Sequence, residues 1–426
     1  MVAETLRGVA EQRGQCVRTK HLLGTLSLVD LTYSDEDQAF RAEVRDWLEE
    51  HLTGEWAALR GLGGAGRDHE AHDERVAWNR LLAEHGWTCV GWPQEYGGRG
   101  LSLTQQVIFH EEYAKADAPV RVNHLGEELL GPTLMAFGTP AQQERFLPRI
   151  VAVDELWAQG YSEPDAGSDL ANVQTKARRD GEDWVIDGQK VWTSNAHFSQ
   201  WAFVVCRTEP GSRRHHGLSF LLVPLDQSGV EVRPIEQLTG GSEFNEVFFT
   251  GARTDADLVV GAPGEGWRVA MALLGFERGV SVLAQVVGFA RELDGVVDLA
   301  RGNGAIDDPV LRDRLAGLKV ELEVLRRQAM RGLSSAAGSD SAGPSVFKLV
   351  WADWHKRLGE VAMDVLGPAG LTTATADGDD AGYDLDRWQR LFLFARADTI
   401  YGGSDEVQRN ILAERVLGLP REPKGA

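Results

Sequence analysis

The stretch Asp183–Thr193, "DWVIDGQKVWT", decides the fold, because it interrupts a chain whose patterning is otherwise helical. β-Branched and aromatic residues on either side of Asp187-Gly188 read as strand. Four further stretches share that character: Trp201–Thr208 "WAFVVCRT", Leu218–Leu225 "LSFLLVPL", Val230–Ile235 "VEVRPI" and Asn245–Thr254 "NEVFFTGART". Upstream the period is helical. Phe40, Val44, Trp47 and Leu48 fall on one helix face behind a capping Ser34, and similar segments cover 74–86, 104–116 and 140–151. Downstream the helical period returns over Trp267–Ala300, Leu311–Leu333 and Val346–Leu366, while 333–345 and 372–383 are rich in loop residues. The expected class is mainly α with a middle β-domain. Its parts are a flexible extension over 1–33, a helical domain over 34–153, a β-domain over 154–265 and a helical domain over 266–426.

At 426 residues the chain exceeds one ordinary core, and 43% hydrophobic with 25% charged residues is the balance of a soluble globular protein. A net charge of −20 argues against a nucleic-acid surface and against anionic membranes, although local arginines can still build a site for an anion. Cys16, Cys89 and Cys206 are too scattered for a metal motif and odd in number, so no metal and a reduced, cytoplasmic location are expected. No apolar run approaches the roughly 18 residues that span a bilayer. The first thirty residues, with Arg7, Arg13, Arg18 and Lys20 ahead of "HLLGTLSLVDL", lack the long apolar core of a secretory signal.

Some motifs carry less than they offer. "GLGGAG", Gly61–Gly66, matches the dinucleotide fingerprint but follows no strand, so it reads as a flexible loop. His69 and His72 lack zinc spacing and read as a solvated face. "GYSEPDAGSDL", Gly160–Leu170, reads either as a capped loop or as a surface that hydrogen-bonds a flat heteroaromatic ring beside a phosphate. "KVWTSNAH", Lys190–His197, adds an aromatic plate at Trp192 with hydroxyls at Thr193 and Ser194; alone it would be core, and beside the first string it suggests a ring site. In "LLGFERGVSVLAQ", Glu277 and Arg278 interrupt an apolar helix. A carboxylate there is either a structural ion pair or a general base with a raised pKa. "IYGGSDEVQRN", Ile400–Asn410, places two glycines before a helix that Ser404 or Asp405 caps.

Together these strings resemble the acyl-CoA dehydrogenase family over about residues 35–421. "YSEPDAGSD" is similar to its T-E-P-x-A-G-S-D, with Ser162 for the usual Thr; "KVWTSNA" to its K-x-W-I-T-N; and "GGSDEVQRNILAERVLGLPR" to its C-terminal G-G-T-x-E-I-Q-R-N-I-I-A-E-R. The resemblance implies a helical N-terminal domain, a β-barrel-like middle domain and a C-terminal four-helix bundle, with FAD between the last two. It places Gln159, Tyr161, Ser162, Gly167 and Ser168 along the flavin pyrimidine edge and the acyl-CoA entry, and Trp192, Thr193 and Ser194 against the isoalloxazine. Ser168 and Arg278 match positions that hold CoA. Arg301 falls where a neighbouring subunit's arginine meets the FAD diphosphate, with "ARGNGAIDDPVLR" in place of the family's R-x-x-F-G. "MDVLGPAG" brings Asp364, in place of a glutamine, and Gly367 to the adenosine side. Ser404, Asp405 and Glu406 approach FAD from a helix start.

In many members a glutamate directly before the G-T-x-E-I-Q-R string is the base; here that position is Gly402. In isovaleryl-CoA and long-chain-type enzymes the base instead precedes an arginine on a C-terminal-domain helix, which here is Glu277. The resemblance thus implies α-proton removal by Glu277, hydride transfer to flavin N5, and the Gly402 amide as a donor to the thioester carbonyl. It also implies an electron-transfer flavoprotein as acceptor and a homodimer or homotetramer. Further wording, including "WTSNAHFSQW" and "SEFNEVFF", resembles actinobacterial enzymes of steroid breakdown that act on a propanoyl-CoA side chain of a bicyclic ring remnant. Two alternatives use the same strings: an oxidase, and a non-catalytic subunit that completes the FAD site of a heteromer.

Overall fold

The computed structural model describes residues 33–64, 66–276, 281–334, 342–375 and 383–421. Glu277 and Arg278 lie outside the described residues. Backbone contacts divide the chain into Met1–Ala39 and Phe40–Ala426. Within the first unit, Ser34 Oγ accepts from the Asp37 N–H at 3.1 Å and so caps the helix that begins at Asp35.

The N-terminal region is helical: α1 (Asp35–His51), α2 (His72–Glu84), α3 (Leu103–Lys115), α4 (Gly131–Phe137) and α5 (Pro140–Val151). Ser102 starts α3 and Thr139 starts α5 with reciprocal capping boxes, through Gln105 and Gln142, and Pro140 opens α5 where a missing N–H costs nothing. The middle region is a seven-stranded sheet: β1 (Trp157–Gly160), β2 (Lys176–Asp180), β3 (Asp183–Ser194), β4 (Trp201–Arg207), β5 (Leu218–Pro224), β6 (Val230–Ile235) and β7 (Phe244–Asp255). Its order is β1-β4-β2-β3-β7-β6, with β5 on the other edge of β4. β1 and β2 therefore meet β4 successively along one edge, and the sheet curls.

The C-terminal region returns to helix: α6 (Gly266–Phe276), α7 (Ser281–Asn303), α8 (Pro309–Ser334), α9 (Gly343–Leu366), α10 (Arg387–Phe394) and α11 (Asp405–Ile411). One apolar cluster joins α5, β1, β4, β5 and α6 through Phe146, Trp157, Phe203, Phe220 and Leu273. A second fills the bundle with Phe289, Leu293, Leu318, Leu325, Trp354 and Leu358, and takes in Val107 of α3. The sheet's other face has its own core of Ile186, Val204, Leu221 and Val247. Each sheet face thus meets an apolar partner, which is why β4 and β5 are buried along nearly their whole length. No helix among the described residues is long and apolar enough to cross a membrane.

Candidate active site

The site begins with a break in β3. Its pairing with β7 holds to Lys190 and resumes at Thr193, so Val191 and Trp192 bulge from the ladder. Trp192 adopts a left-handed φ of 58° and is 57% exposed, its indole edge-on to Phe244 at 6.1 Å. A large aromatic displayed by a strained bulge fits a binding surface rather than a core. Thr193, back in register, is buried, and its Oγ1 has no hydrogen-bond partner. Ser194 is half-buried beside it.

The loop after β1 meets this bulge directly. Gln159 lies half-buried on β1 opposite Phe203, and Tyr161 is buried edge-on to Phe203 and Phe220. Glu163 and Ala166 exchange backbone hydrogen bonds of 3.1 and 3.0 Å, closing a tight turn that leaves Pro164, Gly167 and Ser168 exposed. The Val191 N–H donates to the Ser162 carbonyl at 2.9 Å. The two strings singled out in the sequence are therefore hydrogen-bonded to each other.

What fixes them was not legible as a pair in the sequence. Lys190, fully buried, donates through Nζ to the Tyr161 carbonyl at 2.9 Å and to Glu163 Oε1 at 2.8 Å. Glu163 also accepts from the backbone N–H groups of Gln174 at 2.5 Å and Thr175 at 2.9 Å. Burial pushes the Glu163 carboxyl up, but Lys190 and the backbone donors prevail and hold it below its ordinary value. Burial pushes the Lys190 ammonium down against the attraction of Glu163. One ion pair thus spans the loop and the bulge. Its signal was the acid in "YSEP" and the lysine opening "KVWT".

The glycine-rich segment is a correction. Gly61–Gly66 was expected to be a flexible loop, yet its backbone is tied down: Gly63 N–H reaches Glu70 at 3.1 Å, Gly64 N–H reaches Asp68 at 3.3 Å, and Gly66 N–H reaches buried Glu243 at 2.7 Å. The guanidinium of buried Arg75 lies beneath Gly63, where a Cβ would stand 2.3 Å from it. His72 also departs from a solvated face, being half-buried and stacked on Phe198 at 3.7 Å. These contacts carry the N-terminal region onto the sheet end, where the Asn195 side chain donates to Asp68 at 3.1 Å and its backbone N–H donates to the Glu243 carbonyl at 2.7 Å. From the bundle, Arg390 reaches the Thr239 carbonyl at 2.8 Å. The helical regions and the sheet thus converge beside Trp192–Asn195.

The C-terminal turn is held from both sides. Gly402 and Gly403 have φ of 63° and 84°, conformations that glycine adopts without strain. Gln408, buried in α11, donates through Nε2 to the Gly402 carbonyl at 3.1 Å and the Gly403 carbonyl at 3.4 Å. Ser404 caps α11 through the Val407 N–H at 3.4 Å, Asp405 faces Lys348 at 3.7 Å and Arg409 at 3.5 Å, and Glu406 points to solvent. Arg301 stands at the exposed end of α7, paired with Asp298 at 3.1 Å. Asp364 pairs with Arg314, and Gly367 caps α9 with φ of 60°. Among the described residues no group of His, Cys, Asp and Glu can hold a metal ion.

Family models for the acyl-CoA dehydrogenase N-terminal, middle and C-terminal domains match residues 34–154, 158–252 and 264–417. The chain belongs to the acyl-CoA dehydrogenase family, whose cofactor is FAD. It is 64% identical over 388 residues to acyl-CoA dehydrogenase IpdE1 of Mycobacterium tuberculosis, covering 91% of this chain and 99% of that one. Against IpdE1 of Mycolicibacterium smegmatis it is 61% identical over 401 residues, covering 92% and 100%. Among solved structures, the ChsE4–ChsE5 complex from Mycobacterium tuberculosis superposes with a TM-score of 0.77 at 31% identity, over 92% of this chain and 100% of that one. The Tcur3481–Tcur3483 steroid acyl-CoA dehydrogenase gives 0.79 at 30% identity, over 92% and 100%. The residues present fit the cofactor: an exposed indole beside a buried Thr193 hydroxyl without a partner offers a flat surface and an unspent hydrogen bond.

Proposed function

We propose that this chain removes the α-proton and β-hydrogen of an acyl-CoA thioester to give the trans-2-enoyl-CoA, acting on a propanoyl-CoA side chain carried by a steroid-derived ring remnant. The observation that carries the reading is the hydrogen-bonded pairing of the Ser162 loop with the Trp192 bulge. Tyr161, Ser162, Trp192, Thr193 and Ser194 would hold the flavin ring, and Gln159, Gly167 and Ser168 would line its pyrimidine edge and the entry for CoA. FAD, when bound, accepts the β-hydrogen with its electron pair.

The chain's own part is to take the proton and hold the thioester. Glu277 takes the α-proton, and Arg278 and Ser168 hold the CoA. The Gly402 N–H donates to the thioester carbonyl as negative charge develops there, an interaction that lowers the barrier because it strengthens toward the transition state. A glycine at 402 also leaves room beside the acyl chain, which suits a ring-bearing substrate. Arg301, Asp364, Gly367, Ser404, Asp405 and Glu406 would serve the rest of FAD, with Arg301 acting across a subunit boundary. Electrons would leave to an electron-transfer flavoprotein in the cytoplasm, a location supported by the free, buried Cys89 and Cys206.

A second reading keeps the fold but gives the chain a partner. Gly402 has no side chain to act as base, and two solved relatives are paired chains. Purification of the chain alone, with its FAD-to-chain ratio and a turnover test across linear, branched and ring-bearing acyl-CoA thioesters, separates the readings. Stoichiometric FAD with turnover of the ring-bearing thioester supports the first. Substoichiometric FAD and no turnover until a second subunit is added supports the heteromer, and no turnover in either state rejects both. Peroxide release in air without an added acceptor would make it an oxidase.

A further inference from the structure

Beneath the Gly402 turn, the bundle buries a charged chain that the reaction itself does not use. His355 of α9 is 6% exposed and lies between two carboxylates: its Nδ1 is 2.5 Å from Asp398 Oδ2 and its Nε2 is 2.8 Å from Glu292 Oε2. A neutral imidazole has one N–H, so bonding to two carboxylates requires the imidazolium. Asp398, also buried, accepts the Tyr401 hydroxyl on its other oxygen at 2.6 Å, while its backbone carbonyl takes Lys348 Nζ. Phe289 packs on the imidazole at 4.4 Å. Burial presses the His355 pKa down, but Glu292 and Asp398 raise it to about 10. The charge of Glu292 also acts on Arg291, which pairs with Asp117, and on Arg387.

We infer that His355 is a positioning residue for the reaction: clamped between Glu292 and Asp398, it fixes Asp398, through it Tyr401, and so the backbone of the adjoining Gly402. The turn needs such an anchor because its two glycines have no side chains with which to hold themselves. Gln408 grips the carbonyls of Gly402 and Gly403 from the α11 side. The chain from Glu292 to Tyr401 grips the turn from the other. The carbonyl donor at Gly402 is then set by α7 and α9, elements outside the turn. This inference rests on Gly402 belonging to the reaction site.

The test is hydrogen–deuterium exchange of the FAD-loaded protein, read for the segment 397–403, in wild type, His355→Gln, Tyr401→Phe and the double variant. Glutamine is neutral and carries both N–H donors on one nitrogen, so it cannot replace the two ring N–H groups that face Asp398 and Glu292 from separate atoms, and Tyr401→Phe keeps the ring while removing the hydroxyl that donates to Asp398. Each single variant should raise exchange in that segment roughly tenfold, the factor given by about 1.4 kcal/mol of lost anchoring, with the β-domain unchanged. The double variant should exchange no faster than His355→Gln, because both changes cut one chain. Per bound flavin, kcat should fall by a similar factor while KM moves less. Unchanged exchange in Tyr401→Phe, additive effects in the double variant, or exchange raised throughout the protein would each overturn the clamp. If His355→Gln does not fold, Tyr401→Phe alone decides. A wild type that turns over no acyl-CoA rejects the proposed reaction, whereas the exchange pattern still accepts or rejects the clamp.

Discussion

Replacing Lys190 with methionine removes the counter-charge of Glu163 and nothing else of comparable size. Both groups are buried, and the lysine also satisfies the Tyr161 carbonyl. Removing one partner of a buried pair costs about 3–5 kcal/mol, because the other charge stays desolvated. The two backbone N–H groups on Glu163 remain in Lys190→Met and keep the loss toward the lower end. Adding Glu163→Gln removes the stranded charge, so the double variant should recover part of the loss although it lacks the whole pair. Urea unfolding followed by tryptophan fluorescence measures the stability, and flavin fluorescence measures FAD release. The loop and the bulge should loosen together, so FAD affinity should fall in Lys190→Met in parallel with stability. The pair also has a pH signature. A carboxyl held below 4.5 contributes stability that is complete above that value and is lost as pH falls through the lowered pKa. Lys190→Met should flatten this acid limb. A variant within about 1 kcal/mol of wild type, or a double variant less stable than the single, would refute the reasoning.

Trp192→Ala should change stability by no more than about 0.5 kcal/mol, since the ring is largely exposed, yet weaken FAD binding in equilibrium dialysis. Gly403→Ala should destabilise by about 1–2 kcal/mol in urea unfolding, because φ is 84° and the new Cβ would stand 2.5 Å from Gln408 Nε2. His355 works in the alkaline direction. Its pKa is raised from 6.5 to about 10, so its contribution is complete below 6.5 and is lost as pH rises through about 10. His355→Gln should therefore remove the steep alkaline part of the stability profile, measured by thermal unfolding across pH.

Much of the fold was legible because its signals are local. The β-branched and aromatic runs of β3 to β7 and the helical faces of α1, α5 and α9 are written in single stretches, and the capping residues at Ser34 and Ser404 mark starts that the structure keeps. β1 and β2 escaped for opposite reasons. "WAQG" is too short to show a period, and "KARRD" is a mostly exposed strand whose charges read as loop. Within the candidate site, the exposed loop, the aromatic plate and the glycine turn were each visible as strings. Their supports were not. Lys190 with Glu163, and His355 with Glu292 and Asp398, are pairs made by tertiary packing across 27 to 63 positions of sequence. The misjudged glycine loop has the same cause: Arg75 and Glu243, which hold it, come from α2 and from the residue just before β7.

Without a side chain at 402, this chain is proposed to take the α-proton with Glu277. Anaerobic titration of FAD-loaded wild type and Glu277→Gln with a ring-bearing propanoyl-CoA, followed by the flavin's visible absorbance, tests it most directly. Bleaching is expected in the wild type and none in the variant, with FAD still bound at wild-type stoichiometry. Equal bleaching in both proteins, or none in the wild type, would contradict it.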